Sequence, residues 1–505
     1  MTSPHPRRWW ALGALSVVLI VIGLDLTVLS VALPTLATDL HASTTQLQWF
    51  SNAYTLVLAA LLLPAGLLGD RLGQKRLLMG ALAVFGAASA WCAFATSPGE
   101  LITARAALGV GAAFLIPLSM SLVTVLFPAE ERPKALTIWV MANSLGIPLG
   151  PVLGGWLLDN FAWGSVFLIN VPLVLIGLVS VVFLIPSLRG SGAGRIDLAG
   201  IVLSSAGLVA LTYGFVRIGE TSWSDGLSWL AAGAGALLLA AFGLWQRRVR
   251  APLVDMSLFR SREFTWGAVL ATVSSFAMMG LIFVLPQLFQ AVEGADALVT
   301  GLRLLPIIGG LLVGAKVAER LVEQAGPRGI VIVGFVLMTG GFVLGATTSA
   351  TDGYGFVAVW ETLIGLSLGF TMPTVTAMAM GAMSDARAGS GSAMIQALRQ
   401  VGGTIGVAVL GTVLNSGYRD AVDVTGLPGP LAEAVRGSAS GAAAVARQLE
   451  SPGLLASARD AFVSGMDATL WTSAGFGALG ILLSVVFLPR GVMEAAESGH
   501  DLVAI

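Results

Sequence analysis

The sequence is short of most things that mark a soluble enzyme. Of its 505 residues only 11% are charged, there is one cysteine, Cys92, and the three histidines are His5, His41 and His500. A single cysteine makes no intrachain disulfide and no thiolate metal cluster, and it leaves the redox compartment undetermined. Basic and acidic residues balance, 27 against 28, with no basic tail or aromatic-basic stripe, so nothing points to nucleic acid as a partner. No cofactor motif and no set of metal ligands stands out. All three histidines fall outside the apolar runs. No imidazole can therefore relay protons within a membrane, and any proton carrier there has to be a carboxylate.

What the chain has instead is apolar residues, 56% of it, with 63 glycines and a mean hydropathy of +0.87. Repeated runs of about 20 apolar residues, each able to cross a hydrocarbon core of about 30 Å, read as an all-α polytopic membrane protein. Fourteen spans are expected, at roughly 10–34, 47–68, 77–96, 100–126, 136–158, 164–186, 196–216, 227–246, 264–290, 299–318, 328–349, 354–379, 391–415 and 467–489. Arg7 and Arg8 followed by an apolar run could mimic a secretory signal, but the run is too long and lacks a cleavage-like site, so an uncleaved first span is expected. Basic residues gather in the loops of one side, from Arg7 and Arg8 through Arg71, Lys75, Arg76, Arg132 and Lys134 to Arg490. The short loops opposite hold Arg217. Both termini are therefore assigned to the cytoplasm, in a cell membrane, with a long external loop at about 416–466.

An internal repeat organises the spans. RAALGVGAAFLIP (Arg105–Pro117) aligns without gaps on ETLIGLSLGFTMP (Glu361–Pro373), an offset of 361 − 105 = 256. The same offset pairs Gly146 with Gly402, Gly150 with Gly406, Gly155 with Gly411 and Asp159 with Asn415. The expected organisation is a six-helix half over residues 1–190, two inserted helices and a linker over 191–255, and a second six-helix half over 256–505. Halves related in this way place a substrate site between them near the midplane and suit rocking alternating access.

Several stretches carry chemistry. GLLGDRLGQKR (Gly66–Arg76), between spans 2 and 3, combines glycines for a tight turn at Gly66 and Gly73, Asp70 to bridge helix ends, and Arg71, Lys75 and Arg76 to hold the loop inside. An ordinary cytoplasmic loop would look similar, but a degenerate copy, AERLVEQAGPR (Ala318–Arg328), at the equivalent point of the second half favours a gating hinge used twice. GIPLGPVLGG (Gly146–Gly155) sets Gly146, Gly150 and Gly154 on one helix face, with Gly155 beside them and Pro148 and Pro151 to bend the helix. It is read as a flexible seam between the halves, with plain helix packing as the alternative.

These motifs resemble those of the major facilitator superfamily. The Gly66–Arg76 loop is similar to its signature cytoplasmic loop, with Gln74 where the family usually has a base. LDLTVLSVALP in span 1, LITARAALGVGAA in span 4, GIPLGPVLGG in span 5 and WGSVFLINVP (Trp163–Pro172) opening span 6 resemble the fourteen-helix drug:proton antiporter branch, the multidrug and antiseptic efflux pumps. The resemblance covers most of the first half in order, and it implies proton-coupled export, commonly of lipophilic cations.

Of 28 acidic residues, only Asp25 and Glu361 fall well inside a span. Charge at that depth costs about 2.5 to 3.5 kcal/mol on insertion scales, so each needs a partner or a role. At ~1.5 Å per residue, Asp25 lies roughly 13 Å, and Arg105 roughly 8 Å, below the outer ends of their spans, so the two can meet. A proton on Asp25 competing with a substrate cation would complete an exchange cycle; a static buried ion pair is the alternative. Glu361, at the repeat position of Arg105, is the second candidate for the proton or the cation. Trp49, Asn52, Tyr54, Asn143, Phe276, Met279, Gln287 and Gln396 are candidate cavity residues, amphipathic or polarizable groups suited to a greasy ligand, although such side chains also face lipid or simply pack. Arg399 could line the cavity or snorkel.

The leading expectation is a monomeric antiporter exchanging protons for small hydrophobic, cationic drugs or antiseptics, embedded in membrane lipid and needing no cofactor. The alternative is an exporter dedicated to one endogenous metabolite or antibiotic, or to an anionic compound held by Arg105 and Arg399. A lipid-processing enzyme would need a nucleophile–base pair or a metal cluster in the membrane, and with no histidine there that reading is remote. A passive channel would not need motifs duplicated in two halves.

Overall fold

The structure is a computed structural model that describes residues 7–489, apart from 43, 129, 187–196, 221–223, 250–251, 350–351, 382 and 384–387. The described residues are helical, with no strand. The first part comprises α1 (Arg8–Asp39), α2 (Thr44–Leu72), α3 (Gln74–Ala93), α4 (Pro98–Leu126), α5 (Arg132–Asn160), the single turn α6 (Ser165–Leu168) and α7 (Asn170–Leu184). Next come α8 (Leu198–Glu220) and α9 (Gly226–Gln246), then α10 (Arg262–Gln287), α11 (Ala297–Arg303), α12 (Leu305–Gly345), α13 (Tyr354–Gly381), α14 (Ala388–Ala421), α15 (Gly429–Gly437), α16 (Ala439–Gln448) and α17 (Pro452–Phe487).

Thirteen helical stretches among the described residues are long and apolar enough to cross a bilayer. One of them, Leu298–Gly345, runs for 48 residues, about 72 Å at 1.5 Å per residue and more than twice the hydrocarbon thickness. It breaks at Gly326, whose φ of 68° lies in the left-handed region that only glycine enters freely, and its limbs fall on the expected tenth and eleventh spans. Gly73, with φ 98°, makes the corresponding single-residue turn between α2 and α3. Two residues after each glycine a base reaches the last long helix of its own part: Lys75 Nζ donates to Val182 O at 2.8 Å, and Arg328 Nη2 donates to Val485 O. These carbonyls lie at helix C-termini, where a cation is favoured.

Close backbone approach explains much of the glycine content. A Cβ on Gly146 would meet Ile20 O at 2.4 Å, one on Gly150 would meet Thr27 Oγ1 at 2.1 Å, and one on Gly154 would meet Val28 Cγ2 at 2.7 Å. The glycine face of α5 is thus turned to α1, where the two backbones come within small-residue distance. The glycines of GIPLGPVLGG make a close helix contact with α1, while the same stretch also packs on α11. Gly402 and Gly406 pack α14 on Thr272 and Phe276 of α10 in the same manner. α5 does border the second part on another side, where Gly301 of α11 lies against Val152. The two parts also meet where Gly66 of α2 abuts Gly389 and Ala393 of α14, and where Ser392 Oγ donates to Pro117 O of α4 at 3.0 Å. Arg8 and Glu131 tie the start of α1 to that of α5 through a two-pronged ion pair at 2.7 and 2.8 Å.

α8 and α9 pair with each other, and α8 also packs on both α2 and α14. Ser205 Oγ of α8 donates to Ala60 O of α2 at 2.6 Å. Leu230 and Leu237 of α9 are about 70% exposed, as a lipid-facing surface requires (69% and 73%). The segment expected as a long external loop is instead largely helical: α14 continues to Ala421, α15 and α16 follow, and α17 starts at Pro452. Tyr418 OH donates to Val435 O at 2.8 Å and anchors α15 on α14, a side-chain tie with no hydropathy signature.

Candidate functional site

The expected meeting of Asp25 and Arg105 occurs. Both are buried, Asp25 on α1 at 0% exposure and Arg105 on α4 at 2%, and Arg105 Nη1 donates to Asp25 Oδ2 at 2.8 Å. The other carboxylate oxygen accepts from Asn170 Nδ2 at 3.2 Å. Asn170 Nδ2 also reaches Ser89 Oγ at 2.9 Å, and Ser89 donates to Phe167 O at 3.0 Å. Arg105 Nε donates to Phe50 O of α2 at 2.9 Å, and its guanidinium lies over the Tyr54 ring, 4.6 Å from the centroid. Arg105 of α4 and Asn170 of α7 thus hold the carboxylate of α1, and the network behind them runs on into α2, α3 and α6. Asn170 and Ser89 were not picked out from the sequence; Asn170 sits within the WGSVFLINVP stretch, which was the signal available for it.

Beside this network lies a cavity of about 420 Å³, within the range of small-molecule sites. It is walled by α1, α2, α4 and α5 on one side and by α10 and α14 on the other, with Phe215 and Val216 of α8 closing part of the wall. Of the expected cavity residues, Asn52, Tyr54, Asn143, Met279 and Gln396 line it. Trp49 does not; it is 38% exposed on the outside of α2. Phe276 stacks on Phe476 at 4.0 Å between α10 and α17, and Gln287 donates back to Phe283 O of its own helix. Asp25, expected to touch substrate, is behind the wall, and Tyr54 is the side chain that both lines the cavity and faces Arg105. Phe215, Ser275, Phe283, Gln400 and Thr404 are lining residues that hydropathy and motifs did not single out.

Glu361 is also away from the cavity. α13 packs behind α12 as α4 packs behind α2, so the repeat that matches Glu361 to Arg105 puts it outside the lining. It is fully buried, and neither carboxyl oxygen has a hydrogen-bond partner. Arg303, at the end of α11, is paired with Glu293 and lies over the rings of Phe289 and Tyr354.

In the loop residues, Gly66 and Gly73 hold the tight crossings described above, Lys75 caps α7, and Arg76 is exposed. The side chain of Asp70 lies outside the described part. Gln74, where the family usually has a base, is buried and donates to Ser121 Oγ at 2.6 Å, which explains an amide there. Arg71 contributes charge to Asp197, the residue before α8. Asp197 also accepts from Gly200 N, Trp245 Nε1 and Gln246 Nε2 at 2.8, 2.9 and 2.7 Å. Burial alone would raise the Asp197 carboxyl; those hydrogen bonds and the charge of Arg71 outweigh it and hold the group below the ordinary aspartate range.

A bundle of apolar helices around a cavity walled from both sides, with a charged network buried beside it, has the architecture of a membrane transporter. The chain belongs to the Major Facilitator Superfamily, whose family model matches residues 15–407. It is 37% identical over 486 residues to the multidrug efflux pump LfrA of Mycolicibacterium smegmatis, covering 93% of this chain and 94% of that one. It is 33% identical over 417 residues to the tetracenomycin C resistance and export protein of Streptomyces glaucescens, covering 82% of this chain and 77% of that one. Among solved structures, a bacterial homolog of the human lysosomal transporter Spinster, inward-facing and unoccupied, shares the fold. That match has a TM-score of 0.60 at 18% identity, over 96% of this chain and 98% of that one.

Proposed function

We propose that the protein exports small lipophilic compounds, including drugs, across the cell membrane in exchange for protons, and that it acts as a monomer with both termini in the cytoplasm. The reading that goes with this takes the chain as fourteen spans in two six-helix halves, with α8 and α9 inserted. The observation that carries it is the placement of Tyr54, shared between the cavity wall and the buried Asp25–Arg105 pair. Protonating Asp25 removes the charge that holds Arg105. The guanidinium then leans more on Phe50 O and the Tyr54 ring, both on α2, so a proton arriving on α1 alters a helix that contacts the substrate. Exchange follows if substrate and proton favour different positions of that wall. The resemblance to exporters such as LfrA supports the direction of transport. The same arrangement could be a static pair, and the experiment separates the two. Purified protein in liposomes with an imposed pH gradient should move dye against its concentration gradient, and Asp25→Asn should not. Gradient-driven transport by the variant would leave the pair a structural role only.

A further inference from the structure

The cavity wall offers amides, hydroxyls and apolar side chains, but among the described residues that line it one is charged, and it is positive: Arg399 of α14. The two buried membrane acids lie elsewhere, Asp25 behind α2 and Glu361 on α13. Arg399 Nε donates to Ser275 Oγ at 3.2 Å and Nη1 donates to Gln396 Oε1 at 3.0 Å, so both of its partners are neutral. A guanidinium has five N–H donors in a planar fork, and these two bonds leave the Nη2 edge uncommitted. No carboxylate among the described residues lies within ion-pair distance of it.

An arginine inside a membrane protein normally pairs with an acid or snorkels to the surface. Arg399 does neither. It stands 399 − 388 = 11 residues from the start of α14, about 16 Å along the axis at 1.5 Å per residue, which is farther than its side chain reaches. The repeat offset of 256 pairs it with Asn143 of α5, which also lines the cavity. At equivalent points one half therefore presents an amide and the other a guanidinium. Ser275 and Gln396 hold the fork from two helices.

We infer that Arg399 is a substrate-binding residue, and that the cavity takes lipophilic compounds carrying one acidic oxygen, a carboxylate or a comparable oxyanion, which docks on the free edge of its guanidinium. This rests on the export reading and narrows it: the cationic class implied by resemblance has no carboxylate to meet in this wall, whereas an oxyanion has a fork of matching shape. The apolar body of the ligand would lie against Leu26, Met279, Phe215 and Phe283.

Rhodamine 110 and its methyl ester, rhodamine 123, share one ring system and differ in whether the carboxylate is free, so they isolate this contact. The full chain in detergent should bind rhodamine 110, and Arg399→Gln should weaken that binding about tenfold or more, equivalent to about 1.4 kcal/mol. Rhodamine 123 should change by less than about threefold, and its binding doubles as a test that the variant is folded. If the glutamine variant binds neither dye, Arg399→Lys carries the test. It keeps the charge and loses the fork, and should weaken rhodamine 110 alone. Equal weakening of both dyes would make Arg399 a structural residue and overturn the inference. Wild-type binding of rhodamine 123 with none of rhodamine 110 would also overturn it while leaving drug export intact, and binding of neither would remove both.

Discussion

The guanidinium of Arg105 lies 4.6 Å from the centre of the Tyr54 ring, and the same tyrosine lines the central cavity. A charge buried beyond direct reach of substrate is thereby one side chain away from it. The ring is apolar enough to wall a greasy site and has a negative face that suits a cation. If this stack transmits the state of Asp25, Tyr54→Phe should keep gradient-driven dye export within about threefold, because the ring stays. Tyr54→Leu should lose most of it while still binding dye. Equal activity of the leucine variant in a proteoliposome efflux assay would mean that coupling runs elsewhere.

Glu361 has no hydrogen-bond partner and no place in the cavity wall. Such a group invites a proton or a small cation rather than a bulky substrate. Glu361→Gln is therefore expected to leave dye affinity unchanged and to slow proton-driven turnover. Measuring dye affinity in detergent beside counterflow and pH-driven flux in liposomes distinguishes this from a substrate contact, for which affinity would fall first.

Gly150 sits where a Cβ would lie 2.1 Å from Thr27 Oγ1 and 2.9 Å from Leu24 O. The second contact is with backbone, which cannot turn aside, so even alanine has to push α1 from α5. Gly150→Ala should destabilise by about 1 to 3 kcal/mol, as overpacking does, and Gly150→Leu by more. At Gly154 the nearest atom is the Val28 methyl Cγ2 at 2.7 Å, which can rotate, so Gly154→Ala should cost less. Thermal unfolding in detergent reads both. A Gly150→Ala protein as stable as wild type would show that α1 and α5 are not held at this distance.

Asp197 joins α8 and α9 to the end of α2, through Gln246 and the charge of Arg71. Gln246 in turn accepts from Leu253 N at 2.6 Å and so holds the linker. Because the folded carboxyl titrates below its ordinary value of about 3.9, its anion favours the fold above that pH, and the benefit is lost as pH falls through the lower folded value. Asp197→Asn should lower the unfolding temperature at pH 7, with the gap to wild type narrowing below about pH 4. A constant gap would assign the loss to geometry instead of charge.

Fold class, the segments that cross the membrane and the Asp25–Arg105 contact were legible in one dimension. Hydropathy follows from the need to match about 30 Å of hydrocarbon, and two opposite charges at similar depth have strong reason to meet. The break at Gly326 was legible too, as a copy of the Gly66–Arg76 loop. The helices between 421 and 452 were not, because short polar helices held by a contact such as Tyr418 to Val435 O leave no apolar run.

Which face of a helix looks at what was decided only in three dimensions. Glycine spacing in GIPLGPVLGG marks a close contact without naming the partner, and the structure turns that face to α1. Polarity alone placed Trp49, Phe276 and Gln287 with Asn52 and Asn143, but helix rotation separates them, since about 100° per residue sends neighbours to lipid, core or cavity. Phe215 was hidden because nothing local says that α8 bridges α2 and α14. The sequence by itself determined how often the chain crosses apolar surroundings and which rare charges it carries there. Tertiary packing decided that the acids lie behind the wall and that the charge facing the cavity is Arg399, because exposure to a cavity belongs to an assembly of helices and not to any one of them.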